Sequence, residues 1–378
     1  MKGKVDSRCC QAKAITNVID GSLGGMSCAL VGDPAQIEAI NDQQCYDRTA
    51  HNETARGSRA AHVQLSNRGL DVYAEFDTVV VLSKVHRLQQ HAEADTSEKQ
   101  IFNDKSTRFL CILHALRNAA LTHDDYFWLC RLKRCHASAS RRASFANAPV
   151  LMEFRRTTEQ HEEHNCEHYN RQRLRVMANT SGVPVFAFDA LHDGKPHADA
   201  MHIDDGSFAG LQKHLEIAEG ALVILTHNLA VELGLINGSQ GKIVCVIFSP
   251  GRQPNHQDER CRMPWVILVD FQCYSGPPFL TCAHQHHWVP VLARSARCDE
   301  DRAITRTQFL LCLAYALIPW NAQGMTLAQV IVKLRTAGAK PGVLLVALSR
   351  VRHPDDILLE DDFPTYTQIL SQSKYANF

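Results

Sequence analysis

Apolar positions along the chain fall into two patterns. Short runs with β-branched residues (Cys28 to Val31, Thr78 to Leu82, Ala221 to Leu225, Ile243 to Phe248, Val266 to Val269 and Val330 to Leu334) read as strands. Residues 106 to 119 read as a helix, because Phe109, Ile112, Leu113 and Leu116 recur at i, i+3, i+4 and i+7 on one face. Strand runs alternating with helical segments predict an α/β fold with a largely parallel sheet. Between Gly238 and Pro290 the strand runs are parted by turn signals with no helix among them, the pattern of a small β-barrel inserted into an α/β domain. Gln308 to Leu334 reads as a helix broken by Pro319, then a loop with Gly324, then a strand. His136 to Ala148, HASASRRASFANA, is low in complexity and reads as a mobile surface loop.

At 378 residues the chain has room for two to three domains at roughly 150 residues each. Lys plus Arg and Asp plus Glu balance at 40 each, and 45% hydrophobic with 21% charged residues is a globular composition. Wholesale disorder is excluded, and any nucleic-acid binding must come from a local surface. The longest apolar run, Phe309 to Trp320, falls short of the ~20 residues that span a bilayer, and the N-terminus lacks a signal-peptide core. The expectation is a soluble, intracellular protein with no membrane partner. Fourteen cysteines contain no Cys-x-x-Cys and read mainly as small buried hydrophobes. A metal reading would rest on His161, His164, Cys166 and His168. On a helix over 157 to 174 the three histidines share a face, but Cys166 points elsewhere and no second ligand pair stands at finger spacing, so no metal site is expected.

Three stretches carry candidate chemistry. Leu30-Val31-Gly32-Asp33-Pro34-Ala35-Gln36 reads as a buried strand ending abruptly in Gly-Asp-Pro, with a glutamine where ligands of an α/β sheet gather. By itself it is also an ordinary turn. Arg87 follows the run Val79 to Leu82, and Arg350 follows Gly342 to Leu348. A permanently charged planar guanidinium suits a phosphoryl group losing its bond, though arginines so placed are more commonly surface residues. Gly324 would allow close approach of a ligand or another backbone.

Order and spacing decide between these readings. GDPAQ, LSKVHR, THNLAVELGLINGSQGKI, LAYALIPWNAQGMTL and VALSRVR, in that order between residues 24 and 352, resemble the C-terminal half of superfamily-one helicases of the PIF and RecD-like type. The resemblance implies a RecA-like α/β fold, ATP and Mg²⁺ as cofactors, and 5′ to 3′ movement on single-stranded DNA. It makes Gln36, Arg87 and Arg350 catalytic, with both arginines at the γ-phosphate. Asp33, Gln323 and Gly324 would be nucleotide-binding; Trp320, Asn321, Thr326 and Asn237 would touch DNA. Residues 1–85 would be the remnant of a first RecA-like domain, 86–237 with 303–378 the second, and 238–302 the inserted barrel.

The departures are as specific. A phosphate-cradling P-loop needs Gly-Lys followed by Ser or Thr, yet the Gly-Lys pairs run on into Val5, Pro196 and Ile243. Val266 to Asp270 imitates the acidic strand that holds Mg²⁺, but Phe271 stands where a glutamate belongs. Trp320-Asn321 replaces the His-Lys typical of the family. The expectation is a truncated or degenerate copy that does not hydrolyse ATP alone, with another polypeptide or an N-terminal segment supplying the P-loop. The alternative is a non-enzymatic single-stranded-DNA-binding module. For a eukaryotic chain the resemblance implies a nuclear or mitochondrial location.

Overall fold

The computed structural model describes residues 9–10, 22–33, 35–37, 58–82, 85–91, 96–153, 165–194, 200–254, 256–258, 261–280, 285–299, 301–335 and 342–373. In chain order its helices are α1 (Ser58–Ala74), α2 (Ser97–Arg117), α3 (His123–Cys130), α4 (Ala139–Ser144), α5 (Cys166–Ser181), α6 (Pro319–Ala322), α7 (Val343–Leu348) and α8 (Tyr366–Ser373). The strands are β1 (Val150–Met152), β2 (Val185–Asp189), β3 (Leu191–Asp193), β4 (His214–Ala218), β5 (Leu222–Leu225), β6 (Gln240–Ile247) and β7 (Val266–Asp270). They continue with β8 (Trp288–Val291), β9 (Arg294–Arg297), β10 (Thr305–Gln308), β11 (Leu311–Leu313), β12 (Ala316–Leu317), β13 (Val330–Lys333) and β14 (Ile357–Leu359).

The α/β expectation holds. Four strands in the order β12-β1-β13-β14 pair in parallel, and nearly every residue in them is buried, as helices covering both faces require. The stripe read from residues 106 to 119 lies on α2, where Phe109, Ile112 and Leu113 enter the core under this sheet. The helix starts earlier than the stripe, because Thr96 caps it by accepting from Lys99 N, and it ends with His114 and Arg117 in its last turn.

Antiparallel strands form the rest: β11-β5-β6-β7-β8, β3-β10-β9 and β2-β4. β6 alternates buried and exposed residues as a half-buried strand should, with one register shift between Ile243 and Cys245. The pairing is not confined to residues 238–302, since β5 and β11 complete the same sheet from either side of that span.

Three expectations are corrected. Residues 28–31 and 78–82 are not strands: they pair with no described strand, and Val79 to Leu82 are 77–84% exposed. A β-branched run becomes a strand only where a neighbour supplies the ladder and covers its face. Leu30 and Val31 are exposed too, so the run before Asp33 is not the buried strand expected. Gln308 to Trp320 is not a broken helix; β11 pairs with β5 and β12 with β1, and these ladders override the apolar run's helical reading. His136 to Ala148 is not a loose loop. Ser138 caps α4, Arg141 donates to Ile357 O at 2.9 Å, and Phe145, 1% exposed, plugs a small core with Val150 and Met152. No helix among the described residues is long and apolar enough to cross a membrane.

Candidate functional site

Asp33 organises the first corner. Its Oδ1 accepts from Ala35 N at 3.1 Å and from Arg117 Nη2 at 3.0 Å, and Gln36 N closes the turn on Asp33 O at 3.1 Å. Pro34 lies outside the described residues. Gln36 Oε1 then accepts from Gln323 Nε2 at 3.1 Å, joining segments that sequence reasoning could link only by resemblance. Gly342 was missed. It precedes α7 at φ +85°, and a Cβ there would stand 2.5 Å from the Gln36 carbonyl and 2.6 Å from Ala35 O. Only glycine fits so tight a backbone approach. The available signal was a glycine directly before an apolar run.

The second corner holds both arginines. Arg87 donates from Nε to Thr326 Oγ1 at 3.1 Å and from Nη1 to Ser349 O at 2.8 Å. Arg350 is 2% exposed and donates to Val346 O at 2.7 Å, to Ala322 O and Met325 O at 3.3 Å each, and to Ser349 Oγ at 2.7 Å. Neither forms an ion pair with a carboxylate among the described residues. Burial, with the nearby positive charge of Arg87 adding to it, pushes Arg350 down to about 10. Burial also lowers Arg87. Two guanidiniums at one turn without a counter-charge make a local field that an anion would relieve.

Arg350 binds these corners to the loop after α6. By holding Ala322 O and Met325 O it fixes the segment that presents Gln323 to Gln36 and Thr326 to Arg87. Gly324 sits at φ +86° with open space around its Cβ position, so the backbone angle, rather than close approach of another chain segment, requires glycine there. Gly238 packs on Met325, a Cβ there lying 3.1 Å from Met325 Cγ, and so brings Asn237 beside the loop. Asn237 N donates to Asn228 Oδ1 at 2.7 Å. Trp320, Asn321, Gln323 and Asn237 border one cleft of about 500 Å³, whereas Thr326 stands on the Arg87 side.

The sequence's imitations fall elsewhere. Gly241-Lys242 lies within β6, with Gly241 against Phe271, and Gly194 sits at a turn against Ala303 O. Val266 to Asp270 is β7 of the antiparallel sheet. Gly241 lies within a strand, and among the described residues no group of three or more His, Cys, Asp or Glu stands together to hold a metal ion, while the turn with Arg87 and Arg350 offers positive charge to a phosphate group. His161 and His164 lie outside the described residues. Asn165 is extended and caps α5, so no single helix runs through 157 to 174 to align them with His168.

The arrangement defines a class: a RecA-like α/β unit on a parallel sheet, with antiparallel sheets attached. Comparison with known proteins narrows this. No family model matches. Over 150 residues, 39% of this chain, it is 37% identical to the ATP-dependent DNA helicase PIF6 of Trypanosoma brucei brucei. Over 154 residues, 41% of this chain, it is 30% identical to the ATP-dependent DNA helicase PIF1 of Danio rerio. The matches span 16% and 20% of those two relatives' own lengths. A crystal structure of Bacteroides Pif1 bound to single-stranded DNA shares the fold at TM-score 0.54 and 17% identity, covering 96% of this chain and 68% of that one. Over part of its length the chain is thus related to PIF1-type superfamily-one helicases.

Proposed function

We propose that this chain supplies the sensor and second-domain half of an ATP-dependent DNA helicase motor working 5′ to 3′ on single-stranded DNA. The observation that carries the reading is the junction of Gln36, Gln323, Arg87, Thr326 and Arg350 around a pair of guanidiniums with no carboxylate. Arg87 is the group able to reach a phosphate. Arg350, whose guanidinium is tied to three backbone carbonyls, is a positioning residue that keeps the loop from Ala322 to Met325 against both corners. ATP with Mg²⁺ would bring the charged γ-phosphate to this turn; Asp33 acts by shaping the Gln36 turn. Asn321 and Asn237 face the DNA side, and Gly324 provides the bend between the two sides. In this reading the parallel-sheet unit is the second RecA-like domain, the strands within 238–302 belong to the inserted DNA-facing subdomain, and residues 1–85 belong to the first domain. A nuclear or mitochondrial location goes with it in a eukaryote.

Phosphoryl transfer in this class rests on a P-loop lysine and on Mg²⁺ held beside it, residue types these 378 residues do not offer in the needed pattern. The 378-residue chain alone should therefore release phosphate from ATP well below about 1 per second, with or without single-stranded DNA. Adding a P-loop-bearing N-terminal half from a PIF1-type helicase should restore DNA-stimulated turnover, and Arg87→Ala should abolish it. Turnover near that rate by the chain alone, lost in Arg87→Ala, would refute this part. The second reading, a single-strand-binding module without a motor, is favoured by the cleft beside Trp320, and predicts DNA binding that no P-loop half converts into turnover.

A further inference from the structure

Arg141-Arg142-Ala143-Ser144-Phe145 sets arginines three and two positions before a serine, with an aromatic residue directly after it. Serine kinases whose substrate groove is acidic select this charge pattern, because each guanidinium forms paired hydrogen bonds with a carboxylate. The neighbouring Ser138 and Ser140 lack such arginines. Arg155-Arg156-Thr157-Thr158 repeats them but runs on into Glu159 and lies outside the described residues. Ser144 is exposed and ends α4, a helix of six residues none of which is buried. Its Oγ donates to Arg141 O at 2.8 Å, a carbonyl of its own turn. Two side chains fix that turn to the rest of the protein. Phe145 is 1% exposed in the small core with Val150 and Met152. Arg141 donates from Nη2 to Ile357 O at 2.9 Å and holds Nη1 3.6 Å from Asp355 Oδ1, both in the segment that follows Arg350.

We propose that Ser144 is a phosphorylation site for an arginine-directed serine kinase, and that the phosphate loosens the tie between α4 and the segment after Arg350. The kinase brings ATP. A bond forms between the Ser144 oxygen and the γ-phosphorus as the bond from that phosphorus to the β–γ bridging oxygen breaks; ADP leaves, and the hydroxyl proton passes to the kinase's aspartate. To lie extended in the kinase groove α4 must unwind and release Phe145, and a short helix with no buried residue of its own opens at low cost. The product differs from the free hydroxyl in three ways. It no longer donates to Arg141 O, it places about two negative charges at a helix C-terminus where the dipole opposes them, and it offers acceptor oxygens to Arg141 one turn away. Arg141 then turns from Ile357 O and Asp355 to the phosphate.

The test incubates the folded 378-residue chain with the catalytic subunit of cyclic-AMP-dependent protein kinase and Mg-ATP, and maps phosphate by tandem mass spectrometry. Phosphate should accumulate at Ser144 and vanish from that peptide in Ser144→Ala. It should enter about tenfold more slowly in Arg142→Lys, which keeps the charge and loses the forked donor. In the phosphorylated chain, amide hydrogen exchange should quicken about tenfold across residues 138–146 and 355–357, while α2 stays protected. An unmodified Ser144, phosphate confined to Thr158, or equal rates for wild type and Arg142→Lys overturns the site. A phosphorylated chain whose exchange at 355–357 is unchanged overturns the loosening of the tie. Circular dichroism melts check each fold, and if Arg142→Lys melts early, Ser144→Ala and the exchange pattern decide.

Discussion

Among the described residues two arginines are almost completely buried, Arg306 in the antiparallel region and Arg350 at the turn after α7. Arg306, on β10 of the antiparallel region, pairs with the equally buried Asp205 at 2.9 Å. It also donates to His192 Nε2 and to the carbonyls of Leu211, Ala200 and Ile203, and lies 4.1 Å from the Phe208 ring centroid. Burial lowers its pKa, and Asp205 pulls it back up. Arg350, beside the parallel sheet, has carbonyls and a hydroxyl but no carboxylate among the described residues, and its charged neighbour is Arg87. The first charge is neutralised within the fold and staples the 200–211 segment to β10. The second is left as a positive field at a half-exposed turn. Residue type and burial are the same, and the counter-ion is what differs.

The largest effect that would sharpen this contrast is at Arg306. Arg306→Met leaves Asp205 buried and unpaired, and should cost about 3 to 5 kcal/mol in denaturant unfolding. Asp205→Asn in the same background should return part of that loss. Arg350→Met strands no carboxylate and only uncaps carbonyls, so its cost should be smaller, about 1 to 3 kcal/mol. Its amide hydrogen exchange should quicken at 322–327 while β7 stays protected. Equal losses at the two sites would break the comparison.

The smallest effect is ligand-dependent. Inorganic sulfate at about ten times its dissociation constant should stabilise the wild-type chain by about 1.4 kcal/mol, with no gain in Arg87→Ala. The sign of its pH dependence follows from Arg350, which is charged below about 10. The gain should persist through neutral pH and fade as pH climbs past that value. A sulfate effect that survives in Arg87→Ala, or that grows with pH, would place the anion elsewhere.

Sequence patterning found the elements whose instructions are local. The α2 stripe, the runs that became β5, β6, β7 and β13, and the Gly-Asp turn at residue 33 each depend on neighbours a few positions away. It failed where the partner lies far along the chain. Val79 to Leu82 and Val330 to Lys333 read alike, yet the second is a buried strand between β1 and β14 and the first is exposed and pairs with no described strand. Phe145 gave no hint that it plugs a core, because the surrounding serines and alanines are uninformative about what packs above them.

The same division runs through the candidate site. The sequence by itself determined the order of the blocks from GDPAQ to VALSRVR, the arginines at 87 and 350, and a set of Gly-Lys pairs none of which leads into Ser or Thr. Tertiary structure decided what those residues do. It put Thr326 against Arg87, closed Gln36 onto Gln323, demanded glycine at 342, and left the Trp320 Nε1 and the Thr226 hydroxyl without a hydrogen-bond partner among the described residues. Arg87 and Thr326 stand 239 positions apart in the chain, and Gln36 and Gln323 stand 287 apart. A hydrogen bond reaches only about 3 Å, so such pairs exist only once the sheets have packed, and no local pattern of residues can encode them.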